Sequence, residues 1–268
     1  MIRLGEEFEG YVVVSTLGRG GYATVYRAHR AAEPDRVVAL KVLDDHHRRE
    51  DQTARLRREF EFAHQLVHRH IVTVYDHGHG WLTMEVIDGG TSSALPTNED
   101  RLTALAQIGD ALDYTHRRGI VHCDVKPSNI LVSQDFSRAV LIDFGVAYAV
   151  SETVGWHATQ IEASLPYTAP ELLRGRPPSA LTDQYALACT AVELLLGAPP
   201  YSGARTWMEL VDEILTRPVP SFSRKNAWLP RAFDSVMSRA LAKIPESRYD
   251  SCSEFVAHLA HALGLRRD

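Results

Sequence analysis

The sequence is poor in cysteine and lysine, and each shortage excludes a class of protein. The three cysteines, Cys123, Cys189 and Cys252, are far apart and odd in number. They suggest neither a disulfide framework nor a zinc ribbon, and they fit a reducing compartment, so we expect a cytoplasmic location. Only 4 of the 29 basic residues are lysines. Each lysine is therefore a candidate for a special role.

The chain also lacks a long apolar run and a strong excess of charge. Its best apolar stretch, residues 186–196, is interrupted by Glu193, so the sequence predicts no membrane span. Residues 1–9 are charged and lack an apolar core, so no secretory signal is expected. The net charge of −5 argues against a nucleic-acid-binding domain that depends on electrostatics.

The pattern of the chain changes near residues 85–95. Before that point, short runs rich in Val, Tyr and Thr predict strands at residues 11–17, 23–30, 37–43, 71–76 and 81–87. One helix is predicted over 55–67, with Leu56, Phe60, Ala63 and Val67 on its apolar face. After residue 95, helices are predicted to begin at a capping box at 97–100 and then over 183–196, 231–242 and 251–264. We therefore expect a β-rich first lobe and a mostly helical second lobe.

Two motifs in the first lobe carry candidate phosphate-binding groups. The sequence LGRGGYATV, residues 17–25, joins two predicted strands, and its glycines allow backbone N–H groups to approach phosphates. A strand follows it rather than a helix, so it is neither a Rossmann nor a Walker loop, and a plain glycine-rich hairpin is the alternative. Lys41 follows three apolar residues in a predicted strand. A buried Lys41 needs an anion, for which Glu59 is the candidate; otherwise it reaches solvent from a strand edge.

Two motifs in the second lobe carry candidate catalytic groups. In HCDVKPSNIL, residues 122–131, Asp124 can accept a proton and Lys126 can stabilise phosphoryl charge. Asn129 of the same motif offers an oxygen to a hard cation. In LIDFG, residues 141–145, an apolar strand delivers Asp143 to a glycine turn, for which an ordinary strand-end turn is the alternative.

In this order, the four motifs resemble the eukaryotic-like (Hanks-type) protein kinase domain, and Ala169-Pro170-Glu171 matches its next signature. The resemblance covers nearly the whole chain. It implies an α+β, bilobal protein-kinase-like fold with a small β-rich N-lobe, one αC-type helix and a larger, mostly α-helical C-lobe. It further implies a single domain over residues 1–268, with N-lobe and hinge at 1–87 and C-lobe at 88–268. The richness in Arg and Ala suggests a bacterial source.

The resemblance also implies an activity and its cofactors. The expected reaction transfers the γ-phosphoryl group of ATP, with Mg²⁺ or Mn²⁺, to a Ser or Thr hydroxyl of a protein substrate. Lys41 would hold the phosphates and pair with Glu59. Asp124 would orient and deprotonate the acceptor, and Lys126 would neutralise the moving group. The metal ligands would be Asn129 and Asp143.

A nucleotide pocket follows from the same resemblance. The glycine-rich loop would contribute Gly18 and Gly20, Met84 would be the gatekeeper, and backbone groups of Glu85 and Ile87 would bond adenine. The apolar residues expected to sandwich the ring are Leu17, Val25, Ala39, Leu131 and Ile142. The scaffold would include a buried Glu171–Arg248 ion pair, Asp183 bonded to the catalytic loop and Ser164 in the substrate-docking loop.

The sequence departs from the family pattern in three places. Ala23 replaces the third glycine of the loop, the smallest change available. Cys123 replaces the Arg that in this family pairs with a phosphorylated activation-loop residue, so the hypothesis is a non-RD kinase that does not require phosphorylation at Ser151, Thr153 or Thr159. The stretch between Glu85 and Asp124 is short, which predicts a trimmed or missing helix beneath the hinge.

Two other functions are weighed against an active kinase. The changes at Ala23 and Cys123 keep open a pseudokinase, or nucleotide-binding scaffold, without catalysis. A small-molecule phosphotransferase would share the loop and the aspartates, but Lys126, Asp183 and the 169–171 motif argue against it. The expected partner is a protein substrate and not a nucleic acid. A homodimer and a membrane segment following this chain both remain open.

Overall fold

The N-terminal lobe is a six-stranded antiparallel sheet with one helix packed against it. In a computed structural model, residues 2–44, 49–150 and 162–264 are described, without the side chains of 162 and 163. The strands lie in the order β1-β2-β3-β4-β6-β5. Their bounds are β1 Glu7–Phe8, β2 Tyr11–Arg19, β3 Ala23–Arg30, β4 Glu33–Leu43, β5 Val74–Gly78 and β6 Trp81–Met84, and the helix is α1 Glu50–His64. The glycine-rich loop connects β2 to β3.

Helix α1 differs from its prediction at both ends and in its buried face. It begins at Glu50 and ends at His64, so Val67 lies beyond it and is 84% exposed. The prediction that Val67 belongs to the apolar face was wrong, because the helical period does not extend past the last turn. Phe62, which was not predicted, is 7% exposed and lies in the core. Strand β6 also ends early, at Met84 rather than residue 87.

The C-terminal lobe is mostly helical, as predicted. Its helices are α2 Asn98–His116, α3 Pro170–Leu173, α4 Ala180–Leu196, α5 Trp207–Thr216, α6 Arg231–Ala240 and α7 Cys252–Ala262. Short strands form two antiparallel pairs, β8 Ile130–Val132 with β9 Ala139–Leu141, and β7 Ile120–Val121 with β10 Tyr148–Ala149. Thr97 and Ser251 accept bonds from the backbone N–H of Asp100 and Glu254, which caps α2 and α7.

Helix α5 was absent from the sequence prediction although its signals are present. Thr206 caps it by accepting from the backbone N–H of Glu209. Its inward residues, Leu210, Val211 and Ile214, form a small cluster with Leu165 and Tyr201. This cluster is separate from the main core, where helix α4 is buried along almost its whole length.

The segment that connects the lobes contains no full helix, as the short spacing predicted. Between β6 and α2, its one helical feature is a 3₁₀ turn at Ser92–Ala94. Gly89 and Gly90 instead exchange backbone hydrogen bonds with Val132 of β8, both at 2.9 Å. A Cβ on Gly89 would lie 2.3 Å from the carbonyl oxygen of Ser133, so only glycine fits there. Among the described residues, no helix is long and apolar enough to cross a membrane.

Candidate active site

The first part of the site is an ion-pair cluster between β4, α1 and the turn after β9. Lys41 Nζ lies 2.8 and 2.6 Å from the two carboxylate oxygens of Glu59. It also lies 3.9 Å from Asp143 Oδ1. Lys41 is thus not at a solvent-facing strand edge, and the anionic partner predicted for it is present. Glu59 reaches it because α1 packs against the sheet with this side chain on its buried face.

The charges of this cluster fix the protonation of Asp143 and Lys41. Burial alone would raise the pKa of Asp143, but the cations of Lys41 and Arg55 outweigh it and lower the pKa to about 2. Burial opposes the charge on Lys41, yet Asp143 and Glu59 more than compensate and raise its pKa. Near neutral pH the site therefore presents a carboxylate at Asp143 and an ammonium at Lys41.

Asp183, near the start of α4, anchors the catalytic-loop motif of residues 122–131 by hydrogen bonds. The Asp183 carboxylate is fully buried and accepts from the backbone N–H groups of His122 and Cys123, both at 2.8 Å. His116 Nε2 lies 2.7 Å from the same carboxylate. Cys123 has a φ of +65°, in the left-handed region that costs a non-glycine residue about 1–2 kcal/mol. The bonds to Asp183 hold this strained conformation and orient the next residue, Asp124.

Asp124 stands at the centre of a compact polar network. Lys126 Nζ lies 3.0 and 2.8 Å from its two carboxylate oxygens. The Ser164 hydroxyl donates to Asp124 Oδ1 at 2.5 Å and lies 2.7 Å from Lys126 Nζ. Asn129 donates to Asp124 Oδ2 at 2.8 Å and to its carbonyl oxygen at 2.9 Å. The Asp124 carboxylate is thus oriented by three neighbouring side chains.

The turn at Asp143 is joined to the catalytic loop by three short contacts. His122 Nε2 lies 3.0 Å from the carbonyl oxygen of Ile142, and the N–H of Ile142 donates to the carbonyl oxygen of Asn129 at 3.0 Å. Phe144 is fully buried and packs edge-on against the His122 ring at 4.8 Å. Asp143 has a φ of +66°. These contacts bring the ion-pair cluster and the Asp124 network into one site.

The structure also places the residues predicted for the nucleotide pocket. Val25 pairs with Lys41 across β3 and β4, and Ala39 pairs with Met84 across β4 and β6. Leu131 lies in β8 and Ile142 directly follows β9, both in the C-terminal lobe. Gly18 lies in β2, the N–H of Gly20 donates to the carbonyl oxygen of Ala23, and Leu17 is 41% exposed. Ala23 itself has extended strand backbone, which explains how it replaces a glycine.

The hinge residues Glu85 and Ile87 follow β6 directly. The N–H of Glu85 donates to the carbonyl oxygen of Thr73 at 2.9 Å. The Glu85 side chain pairs with Arg138, whose guanidinium donates hydrogen bonds of 2.8 and 3.0 Å to the two carboxylate oxygens. The sequence did not predict this bidentate pair, because Arg138 is 53 residues away in a turn with no motif.

Two arginines of α1 were also missed. Arg55 reaches to 4.0 Å from Asp143 Oδ2, and Arg58 Nε donates to the carbonyl oxygen of Ala147 at 2.9 Å. A signal existed for the first, since Arg55 precedes Glu59 by four residues and a helix places both on one face. No comparable signal existed for Arg58, whose partner is a backbone oxygen 89 residues away.

The donor set fits a divalent metal and a phosphate ester. Asp143 is an ionised carboxylate, and Asn129 has its amide nitrogen committed to Asp124, which leaves its side-chain oxygen as an acceptor. Hard oxygen ligands of this kind suit Mg²⁺, which takes few protein ligands and completes its shell with water and phosphate. The ammonium groups of Lys41 and Lys126 add positive charge on either side.

The buried Glu171–Arg248 ion pair expected in the scaffold is present. Arg248 bonds both carboxylate oxygens of Glu171 at 2.8 and 2.7 Å, and both residues are buried. The same Arg248 donates to the carbonyl oxygen of Leu181. The pair therefore ties the segment after Ser164 to the start of α4 and to the end of α6.

Comparison with known proteins gives one consistent result. Residues 11–259 match the family model described as the protein kinase domain. The serine/threonine-protein kinases PknF and PknJ of Mycobacterium tuberculosis are 37% and 36% identical over 97% and 96% of this chain. The match covers 58% and 46% of those two proteins, so this chain spans about half their length. A crystal structure of the M. tuberculosis PknI kinase domain is 32% identical with a TM-score of 0.73, covering 98% of this chain and all of that one.

Proposed function

The chain belongs to the protein kinase family, with bacterial serine/threonine kinases as its relatives, and from this membership we propose that it transfers the γ-phosphoryl group of ATP, with Mg²⁺, to a Ser or Thr hydroxyl of a protein substrate. One observation carries the proposal. Contacts run from Glu59 through Lys41 to Asp143, and the backbone N–H of the adjacent Ile142 donates to Asn129, which in turn bonds Asp124. A phosphoryl transfer needs such a site, because its catalysis is mostly positioning and charge stabilisation.

Each part of the network has a distinct task in this proposal. Lys41, fixed by Glu59, binds the α- and β-phosphates. Asp124 orients the acceptor hydroxyl and takes its proton as the oxygen attacks the γ-phosphorus and ADP leaves. Lys126, already beside Asp124, neutralises charge on the moving group. The bound Mg²⁺, held by Asp143 and Asn129, would supply charge neutralisation for the β- and γ-phosphates.

The cleft beside this network is the proposed nucleotide pocket. The adenine ring would lie between Val25 and Ala39 on one side and Leu131 and Ile142 on the other, with Leu17 at the entrance. Met84 closes the back, Glu85 and Ile87 offer backbone groups, and the loop with Gly18 and Gly20 covers the phosphates. We accordingly propose residues 1–87 as N-lobe and hinge and 88–268 as C-lobe of one kinase domain.

We further propose that activity does not depend on phosphorylation of the activation loop. Its candidate sites, Ser151, Thr153 and Thr159, lie outside the described residues. What supports the proposal is how the loop is anchored on both sides. Tyr148 and Ala149 pair with β7, the N–H of Val150 donates to Gly119, and Ser164 is bonded to Asp124 and Lys126. These anchors are bonds between groups of the protein itself, and Cys123 cannot bind a phosphate as an arginine would.

The test is phosphoryl transfer from labelled ATP to a generic basic protein, with and without Mg²⁺. Asp124→Asn should lower the rate by about 10²–10⁴-fold, the usual contribution of a general base. Asp110→Asn, an exposed carboxylate on α2 that contacts His68, is the matched control and should keep wild-type activity. If the wild type transfers no more label than Asp124→Asn, the chain is a pseudokinase and the proposal fails.

A second experiment addresses the activation loop. The triple alanine variant at Ser151, Thr153 and Thr159 should keep its activity within a few-fold of wild type. A loss of about a hundredfold or more would contradict phosphorylation-independent activity. Mass spectrometry of the wild-type protein after incubation with ATP should be run in parallel to identify any sites that are modified.

A further inference from the structure

Arg55 of helix α1 lies where it can act on the metal ligand Asp143. Its guanidinium is 4.0 Å from Asp143 Oδ2, while Lys41 approaches Oδ1 at 3.9 Å. Both oxygens of this carboxylate therefore face a cation. The Arg55 side chain is 25% exposed, so solvent screens it only in part.

Two neighbours fix the path of the Arg55 side chain. Its Cγ and Nε lie 3.0 Å from where a Cβ of residue 145 would be, so a side chain there would displace the arginine by a few tenths of an ångström. Its guanidinium then lies 5.9 Å from the ring centre of Tyr22 at the tip of the glycine-rich loop. Arg55 thus spans from α1 across the turn of Asp143 to the loop that covers the phosphates.

A divalent metal on Asp143 would have to approach within about 2.1 Å of the oxygens that Arg55 faces. The guanidinium then lies only a few ångströms from the ion and repels it. The same guanidinium attracts the phosphates of a nucleotide, which carry the opposite charge. Arg55 should therefore oppose the metal when it enters alone and assist a nucleotide.

This inference rests on the proposed function. We propose that Arg55 is a positioning residue that weakens metal binding at Asp143 in the absence of nucleotide, so that metal and nucleotide enter the site together. Without Arg55, the site should bind free metal more tightly and metal-free nucleotide more weakly. A role in folding alone would not produce these two opposite changes, because a loosened site would bind both ligands less well.

The experiment measures binding and not catalysis. Mn²⁺ is titrated into nucleotide-free protein and followed by electron paramagnetic resonance, and a fluorescent ADP analogue is titrated in the presence of a chelator. Arg55→Met should tighten Mn²⁺ binding by on the order of tenfold, as expected when one unit charge is removed from a partly exposed site a few ångströms away. It should weaken binding of the metal-free nucleotide by roughly threefold to tenfold.

Controls on the same helix make the result specific. Arg57→Met removes an exposed arginine that pairs with Glu61 at 2.7 Å, and it should leave both constants unchanged. Arg55→Lys keeps the charge and should stay close to wild type, which also covers a failure of the methionine variant to fold. Asp143→Asn should abolish Mn²⁺ binding, so that the signal of free Mn²⁺ is not reduced, and so identify the titrated site.

The outcomes separate this inference from the function on which it rests. If wild type binds nucleotide with Mg²⁺ but Arg55→Met changes neither constant, or weakens both, the role of Arg55 is refuted and the kinase proposal stands. If wild type binds no nucleotide under any condition, both proposals fail.

Discussion

The replacement of Asp183 by asparagine tests whether the catalytic loop is held by one buried carboxylate. Asp183 accepts two backbone N–H groups at 2.8 Å and lies 2.7 Å from His116 Nε2. Asparagine has one acceptor oxygen, so its NH₂ group must face one of the N–H donors. The variant loses a charge-assisted hydrogen bond, about 1.5–3 kcal/mol, and leaves a buried N–H unsatisfied, about 1–3 kcal/mol. Together we expect a loss of about 2.5–6 kcal/mol, a large share of a typical stability of about 5–15 kcal/mol.

The same substitution should affect catalysis in a recognisable way. Freed from Asp183, the backbone at Cys123 can leave its left-handed conformation and carry Asp124 out of position. In the phosphoryl-transfer assay kcat should therefore fall by on the order of a hundredfold, while KM for ATP changes little because the pocket residues lie on other elements. Urea unfolding measures the stability, with Asp110→Asn as the exposed control. A stability loss below about 1 kcal/mol, or a change confined to KM, would refute the role given to Asp183.

Three further predictions concern other parts of the molecule. Burial lowers the pKa of Lys243 from 10.5 to about 8, so the folded state sheds its proton before the unfolded chain does. The stability of wild type relative to Lys243→Met should therefore rise between pH 8 and 10.5, and urea unfolding at pH 7.5 and 10 that shows a constant or falling difference would contradict this. Burial and the nearby carboxylates of Asp183 and Asp124 raise the pKa of the Cys123 thiol well above its usual value, so a thiol reagent at pH 8 should label Cys123 far more slowly in native than in unfolded protein; rapid labelling of native Cys123 would contradict the protonated thiol. Phe62→Ala should lower the free energy of unfolding by about 3–5 kcal/mol and Val67→Ala by less than about 0.5 kcal/mol. Equal losses would support the apolar helix face predicted from the sequence, which included Val67.

The residues of the candidate site were predictable because each belongs to a short motif. Three charged residues stand out from the residues next to them in the sequence. They are Lys41 in an apolar strand, Asp124 two residues before a lysine, and Asp143 at a glycine turn. Their order along the chain then made the family resemblance specific. The lobe that each motif occupies followed from the change of pattern near residue 90.

What the sequence did not predict depends on distant contacts. The end of α1 is decided by packing against the sheet, so the spacing that included Val67 was extended too far. Arg138 and Arg58 find partners more than 50 residues away, which no local pattern encodes. The left-handed backbone at Cys123 arises from bonds to Asp183, 60 residues further along the chain. Helix α5 is a different case, since its cap and apolar spacing were present in the sequence and were not used.

The absence of a full helix between the lobes has a consequence for inhibitors. A compound that extends outward from the proposed adenine position would meet the backbone of Gly89 and Gly90, where Gly90 has a φ of +89°, and not helical side chains. Gly89 cannot acquire a side chain, because a Cβ there would collide with the carbonyl oxygen of Ser133. The protein therefore cannot acquire resistance to a ligand that contacts Gly89 by replacing this residue with a larger one. This makes Gly89 a durable contact point for a selective ligand.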